Sequence, residues 1–267
     1  SACVVKSPAA IVNELFAWRT AVNPSFPQTV SRIETELGIQ IRADLAAPLG
    51  TEYVLAQDGP ALPTPAWKLA VEVDDPARLQ ATIQKLVEAA SRNLTAKTGR
   101  SVQLSQETAS GRTYYTLALP QAGPMAELHY LYTDGYLLAA PSRALLDRAI
   151  QTRASGNTLA RSAAFLNLLP HDHYPNVSAL FYQNVGGTLA PLMEALSQGK
   201  TLTAPQQQAM ESLGTQLRTS LLAAYGESDR IILASTGSLV SLGLNNFGWM
   251  GLLHNSGTRH HGPAYRQ

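Results

Sequence analysis

Cysteine is nearly absent: Cys3 is the single one in 267 residues, so no intrachain disulfide scaffold holds this fold together. Charge is scarce as well. Asp, Glu, Lys and Arg make up 15 % of the chain, against ~25 % in an average soluble protein, so the polar surface falls to Gln, Ser, Thr and Asn. An excess of one sign is missing, because 20 basic and 19 acidic residues leave a net charge of +1. A polyanion binder needs a basic excess, which argues against nucleic acid as a partner. No apolar run reaches the ~18 residues of a membrane-spanning helix; the longest, Ile231 to Leu244, is broken by Ser235, Thr236, Gly237 and Ser238. The chain also lacks a Gly-x-Ser-x-Gly elbow, a Gly-x-x-x-x-Gly-Lys loop, a Gly-x-Gly-x-x-Gly turn and a His-Glu-x-x-His helix, which leaves serine hydrolase, nucleotide and zincin chemistry without their usual signatures.

What is present is core. Apolar residues are 45 % of the chain, enough for a packed interior and too many for disorder. Ile11, Leu15, Trp18 and Val22 form one helical stripe ended by Asn23-Pro24. A second helix, with Val30, Ile33 and Leu37 on one face, runs from a Ser25 cap to a left-handed Gly38. A short turn over Ala43 to Leu49 and a strand over Glu52 to Gln57 follow. Trp67 to Val73 alternates as a strand. Asp74-Asp75-Pro76 then opens a long helix with Leu79, Ile83, Leu86, Val87, Ala90 and Leu94 inward. Strands are expected over Ser101–Glu107, Arg112–Leu119, Glu127–Thr133 and Tyr136–Ala140, the last two around the strong hairpin signal Asp134-Gly135. Ser142 starts a helix and Ser155-Gly156-Asn157 ends it, and a short helix covers Ser162 to Leu169. Further on come a strand at Val177–Gln183, a helical stripe of Leu189, Leu192, Met193 and Leu196, and a capping box of Thr203 and Gln206. A last hairpin pairs Leu221–Tyr225 with Arg230–Ser235.

The stretches from Tyr132 to Leu145 and from Tyr225 to Leu239 share one grammar: Tyr, acidic turn, aliphatic strand, small residues, helix start. The spacing suits an internal duplication into two α+β halves. The expected fold is therefore α+β, with two similar half-domains, each an antiparallel sheet with helices packed on one face. The expected divisions are an N-terminal helical segment 1–50, a first half 51–155, a second half 156–245 and a flexible tail 246–267.

The run Ile39 to Tyr53, and the run Asp134 to Leu138 with Pro141 to Ala149, resemble modules of bacterial proteins in the uncharacterised DUF3352 group. The resemblance spans Ile39 to Leu239. It implies an α+β fold of repeated units, a periplasmic, envelope-associated or secreted location, and a chain that is the C-terminal half of a longer precursor. It transfers no catalytic residue. The opening Ser1-Ala2-Cys3 lacks an initiator Met and reads as a processed end. A Cys after two small residues also suits a bacterial lipoprotein signal, though no apolar run precedes it.

Two sets of residues carry candidate chemistry. The first is a row of Tyr114, Tyr115, Tyr130, Tyr132 and Tyr136 with Trp67. On adjacent strands these rings either stabilise the sheet or form a platform for a glycan or peptide. The second is His171-Asp172-His173, whose imidazoles share one side of an extended segment and suit a divalent transition metal such as Zn. His129, His254, His260 or His261 would complete the ligand set, although the triplet lies in turn composition between Pro170 and Tyr174-Pro175. Weaker candidates are Gly186-Gly187 as an anion cradle, Asp74-Asp75 as a Ca²⁺ site, and Glu107 with Glu127 as paired carboxylates.

The leading expectation is a non-catalytic envelope or secreted protein with no cofactor. It binds a protein, glycan or small molecule across a sheet face or in a cleft between the halves. The rival is a metal-dependent hydrolase centred on His171 and His173. A structural module of a larger surface polypeptide is the third.

Overall fold

The computed structural model describes residues 2–4, 7–57, 66–119, 127–170, 177–184, 219–227 and 230–236. The chain divides into two compact units, one of Ser1–Phe181 with Ala223–Leu233 and one of Tyr182–Leu222 with Ala234–Gln267. In the second, Ser220 and Leu221 are buried.

The described elements in chain order are β1 (Ala2–Val4), α1 (Pro8–Val22), α2 (Phe26–Leu37), a π-helix (Ile41–Ala46), β2 (Leu49–Gln57), β3 (Trp67–Val73) and α3 (Pro76–Thr98). Then come β4 (Gln103–Ala109), β5 (Arg112–Ala118), β6 (Glu127–Thr133), β7 (Tyr136–Ala140) and α4 (Arg143–Ser155). A 3₁₀ turn (Leu159–Arg161), α5 (Ala163–Leu166), β8 (Ala179–Gln183), β9 (Ser220–Gly226) and β10 (Ile231–Thr236) complete them. This is an α+β chain. Its strands lie in one sheet of order β10-β9-β8-β1-β2-β3-β7-β6-β5-β4.

Local chemistry accounts for most boundaries. Both two-residue hairpins turn through left-handed pairs, Ser110-Gly111 (φ 52° and 74°) and Asp134-Gly135 (φ 50° and 81°), the geometry that matches strand twist. The Asp75 carboxylate accepts the Arg78 N–H at 3.0 Å at the start of α3, ahead of Pro76 in the first turn. β2 carries a bulge between Leu49 and Tyr53. One Glu72 oxygen takes the freed N–H groups of Thr51 (2.7 Å) and Glu52 (3.1 Å), and a Cβ at Gly50 would collide with that side chain.

Three expectations change. Helices do not share one face. In the register, Tyr114, Leu131 and Leu138 face one way and Tyr115, Tyr130 and Ala139 the other. On the first face Leu145 and Leu146 of α4 pack with Tyr114, Leu131 and Ala140. On the second, Gln80 of α3 meets Tyr130 and Tyr132. A crossover from β3 to the distant edge strand β4 carries α3 over one side, whereas β7 leads straight into α4 on the other.

The hairpins that match in sequence also occupy unlike places. β3 borders the second strand of its hairpin, β7, while β8 borders the first strand of its own, β9. Finally, α1 turns its expected core stripe outward: Leu15, Trp18 and Val22 are exposed. Its inward contacts run through Phe16, whose ring meets Phe26 edge-on at 5.3 Å. In α3, Thr82 and Ala89 are buried with Leu79, and Ala90 is exposed. The Thr82 hydroxyl donates to the Asp44 carbonyl at 2.8 Å, so a polar residue serves the inner face.

Candidate functional site

Alternation along β5 and β6 sorts the tyrosines. Tyr115 and Tyr130 are cross-strand partners, their rings stacked at 4.9 Å and 12°. Tyr132, two residues on, meets Tyr115 edge-on at 6.1 Å and Tyr130 at 6.2 Å. The Tyr130 and Tyr132 hydroxyls both donate to Gln80 Oε1, at 3.1 and 3.2 Å. Among the described residues, Gln80 Nε2 is buried there without a hydrogen-bond partner. Burial raises the pKa of both phenols. They stay protonated at neutral pH and act as hydrogen-bonding surfaces, not as bases.

Beside this cluster, at the turn end of β5 and β6, lies an open depression of about 540 Å³. Ser110, Arg112, Thr113, Tyr115, Tyr132 and Thr133 line it. On the α3 face Tyr115, Tyr132 and Thr113 border it together, while Arg112 and Thr133, one position out of phase, belong to its rim on the side of Tyr114 and Leu131.

The other expected platform residues are elsewhere. Tyr114 is buried on the opposite face and donates to Asp147 at 2.7 Å. The Arg143 guanidinium covers its ring at 4.4 Å. Burial first, and the Asp147 bond second, raise its pKa. Tyr136 donates to Glu52 at 2.5 Å; that bond, with burial, pushes its pKa up to about 12. Trp67 is half-buried at the start of β3 opposite Gln57. Among the described residues it makes no ring contact with the tyrosines.

Of the expected metal ligands, His171, His173 and His254 lie outside the described residues, as do His260, His261 and the Gly186-Gly187 pair. His129 has both ring nitrogens occupied: Nδ1 pairs with Thr116 Oγ1 at 3.1 Å and Nε2 with Glu127 at 3.2 Å. Glu107 instead pairs with Arg143 at 3.0 Å. Opposite β5, Glu127 faces Ala118 and Glu107 faces Tyr114. That is four residues apart, roughly 13 Å along a strand, so the two carboxylates serve separate partners. Asp75 is a helix cap.

Gln80, Arg112 and Thr113 were not singled out by the sequence. The Ser110-Gly111 turn was the available signal for the rim, since it fixes which residues of β5 stand at its mouth.

Comparison with curated proteins finds no match, and comparison with solved structures finds none. A family model, described as a protein of unknown function (DUF3352), matches residues 19–228. That span takes in the last turn of α1, all of α2, the tyrosine cluster and strands β2 to β9, and the chain belongs to this DUF3352 family.

Proposed function

We propose that this protein is a non-catalytic binding protein of the bacterial envelope or the secreted fraction, and that it takes a glycan at the Tyr115–Tyr132 depression. The observation that carries this reading is the pair of tyrosine rings, Tyr115 and Tyr132, set beside Thr113 on one face of the depression, with Ser110, Arg112 and Thr133 on its rim. Sugar rings offer C–H faces to aromatic side chains and hydroxyls to polar ones, and a site that mixes both chemistries suits them. Tyr130 and Tyr132 are already tied to Gln80, so little side-chain freedom is lost on binding. Low charge and a single cysteine support the location.

Calorimetric titration with chitohexaose and cellohexaose tests the reading. At least one releases heat with the native chain and none with Tyr115→Ala, whose fold is checked by circular dichroism. Silence with both sugars, or binding indifferent to Tyr115→Ala, overturns it. Fractionation of the producing cells tests the location: protein confined to the cytosol would count against it.

A further inference from the structure

A second cavity lies away from the tyrosines, bounded by α1, α2 and the π-helix. Its volume is about 320 Å³, at the small end of the ~300–1,000 Å³ range of small-molecule sites. Its apolar wall is Phe16, Phe26 and Val30. The two rings meet edge-on at 5.3 Å. Arg42 stands at the mouth, its guanidinium 4.8 Å from the centre of the Phe16 ring.

The charges around Arg42 are directed elsewhere. Glu34 lines the same cavity, but its Oε1 accepts the Ile41 N–H at 2.8 Å. Asp44 takes the Gln40 N–H at 2.8 Å and both Nε and Nη2 of Arg78, at 3.1 and 3.0 Å. The Gln40 bond, helped by Arg78, holds the Asp44 carboxyl below its usual range. Among the described residues no carboxylate forms an ion pair with Arg42.

The π-helix that presents Arg42 is closed by its own backbone and tied at its middle to α3. Ala47 N–H bonds the Arg42 carbonyl at 2.9 Å, and the Thr82 hydroxyl holds the Asp44 carbonyl. Turns of this kind recur at functional sites. A guanidinium stacked on a ring, with its donor edges free, is suited to a carboxylate.

We propose that this cleft binds a small monoanionic aryl carboxylate, with its carboxylate on Arg42 and its ring against Phe16 and Phe26. The size admits one fused ring system and not a nucleotide. Glu34 selects for a single negative charge, because a second one would meet it at the cavity wall.

The test is a titration of the full chain with 2-naphthoate, followed by ¹H–¹⁵N NMR and calorimetry. Saturable shifts are expected at Phe16, Phe26 and Arg42. The neutral 2-naphthalenemethanol and the dianionic naphthalene-2,6-dicarboxylate should each bind about tenfold more weakly, the scale of one charge-assisted hydrogen bond. Arg42→Gln should lose the preference for naphthoate over the alcohol, and Arg42→Lys should keep part of it. Tyr115→Ala should leave all of this unchanged, which separates this cleft from the glycan depression. Equal binding of naphthoate and the alcohol to the native chain, shifts confined to other residues, or no shift at millimolar naphthoate would each sink the proposal.

Discussion

The two faces of the sheet across β5, β6 and β7 are closed by different means. Under α4 the contact is mainly apolar: Leu131, Ala140 and Leu146 are sealed from solvent to within 1 %, and its polar links are the Tyr114 hydroxyl on Asp147 and Arg143 on Glu107. Under α3 three phenol rings and one amide join the buried Leu79 and Ala89. The first face gains stability from area removed from water. The second adds hydrogen bonds that contribute little while made and cost much when broken. The depression for which we propose a glycan lies beside the second face.

The sharpest way to break this contrast is Leu146→Ala. It removes buried methyl groups from a sealed contact and should cost about 2–5 kcal/mol, measured as a lower urea midpoint. Next comes Gln80→Leu, which strands two phenol donors and should cost about 1–3 kcal/mol. Adding Tyr130→Phe and Tyr132→Phe should recover most of that loss, since no donor is then left unpaired. A triple variant as unstable as Gln80→Leu alone would mean that shape, and not hydrogen bonding, decides that face.

The helix starts give a smaller contrast. The Asp75 side chain caps α3, whereas Ser142 makes no side-chain cap for α4. Asp75→Ala should cost about 1 kcal/mol and Ser142→Ala only a few tenths, by the same denaturation measurement. The smallest effect is alkaline. Tyr136 has its pKa raised in the fold from 10.0 to about 12, so the protonated phenol is the favoured form. Its contribution is complete below pH 10 and lost as pH rises through about 12. Tyr136→Phe should therefore narrow the difference in stability between pH 9 and pH 12. Absorbance at 295 nm should show one fewer late-titrating phenol.

Much of the sheet was legible because its signals are local. Trp67–Val73, Glu127–Thr133 and Tyr136–Ala140 are strands at the bounds that alternation and the Asp134-Gly135 turn predict. The π-helix at Ile41–Ala46 overlaps only part of the turn expected over Ala43 to Leu49, since its hydrogen bonds span one residue more than those of an α-helix and leave no separate sequence signal. The stripe of Leu15, Trp18 and Val22 was real as a pattern, but periodicity states that a face exists and not what covers it. The site was less legible still. Gln80 meets Tyr130 and Tyr132 across fifty residues of chain, and which helix crosses which face is settled by the route from β3 to β4. Neither is written in any short window.

Strand β1 has one more consequence. Its three residues lie in the middle of the sheet, where Cys3 is opposite Tyr53 on one side and Ala179 on the other. The seam can therefore close only after the segment at Ala179 has arrived, a long loop closure that slows folding. Until then two neighbouring strands present bare edges, and a chain trimmed by those few residues would offer that gap to any extended peptide that fits.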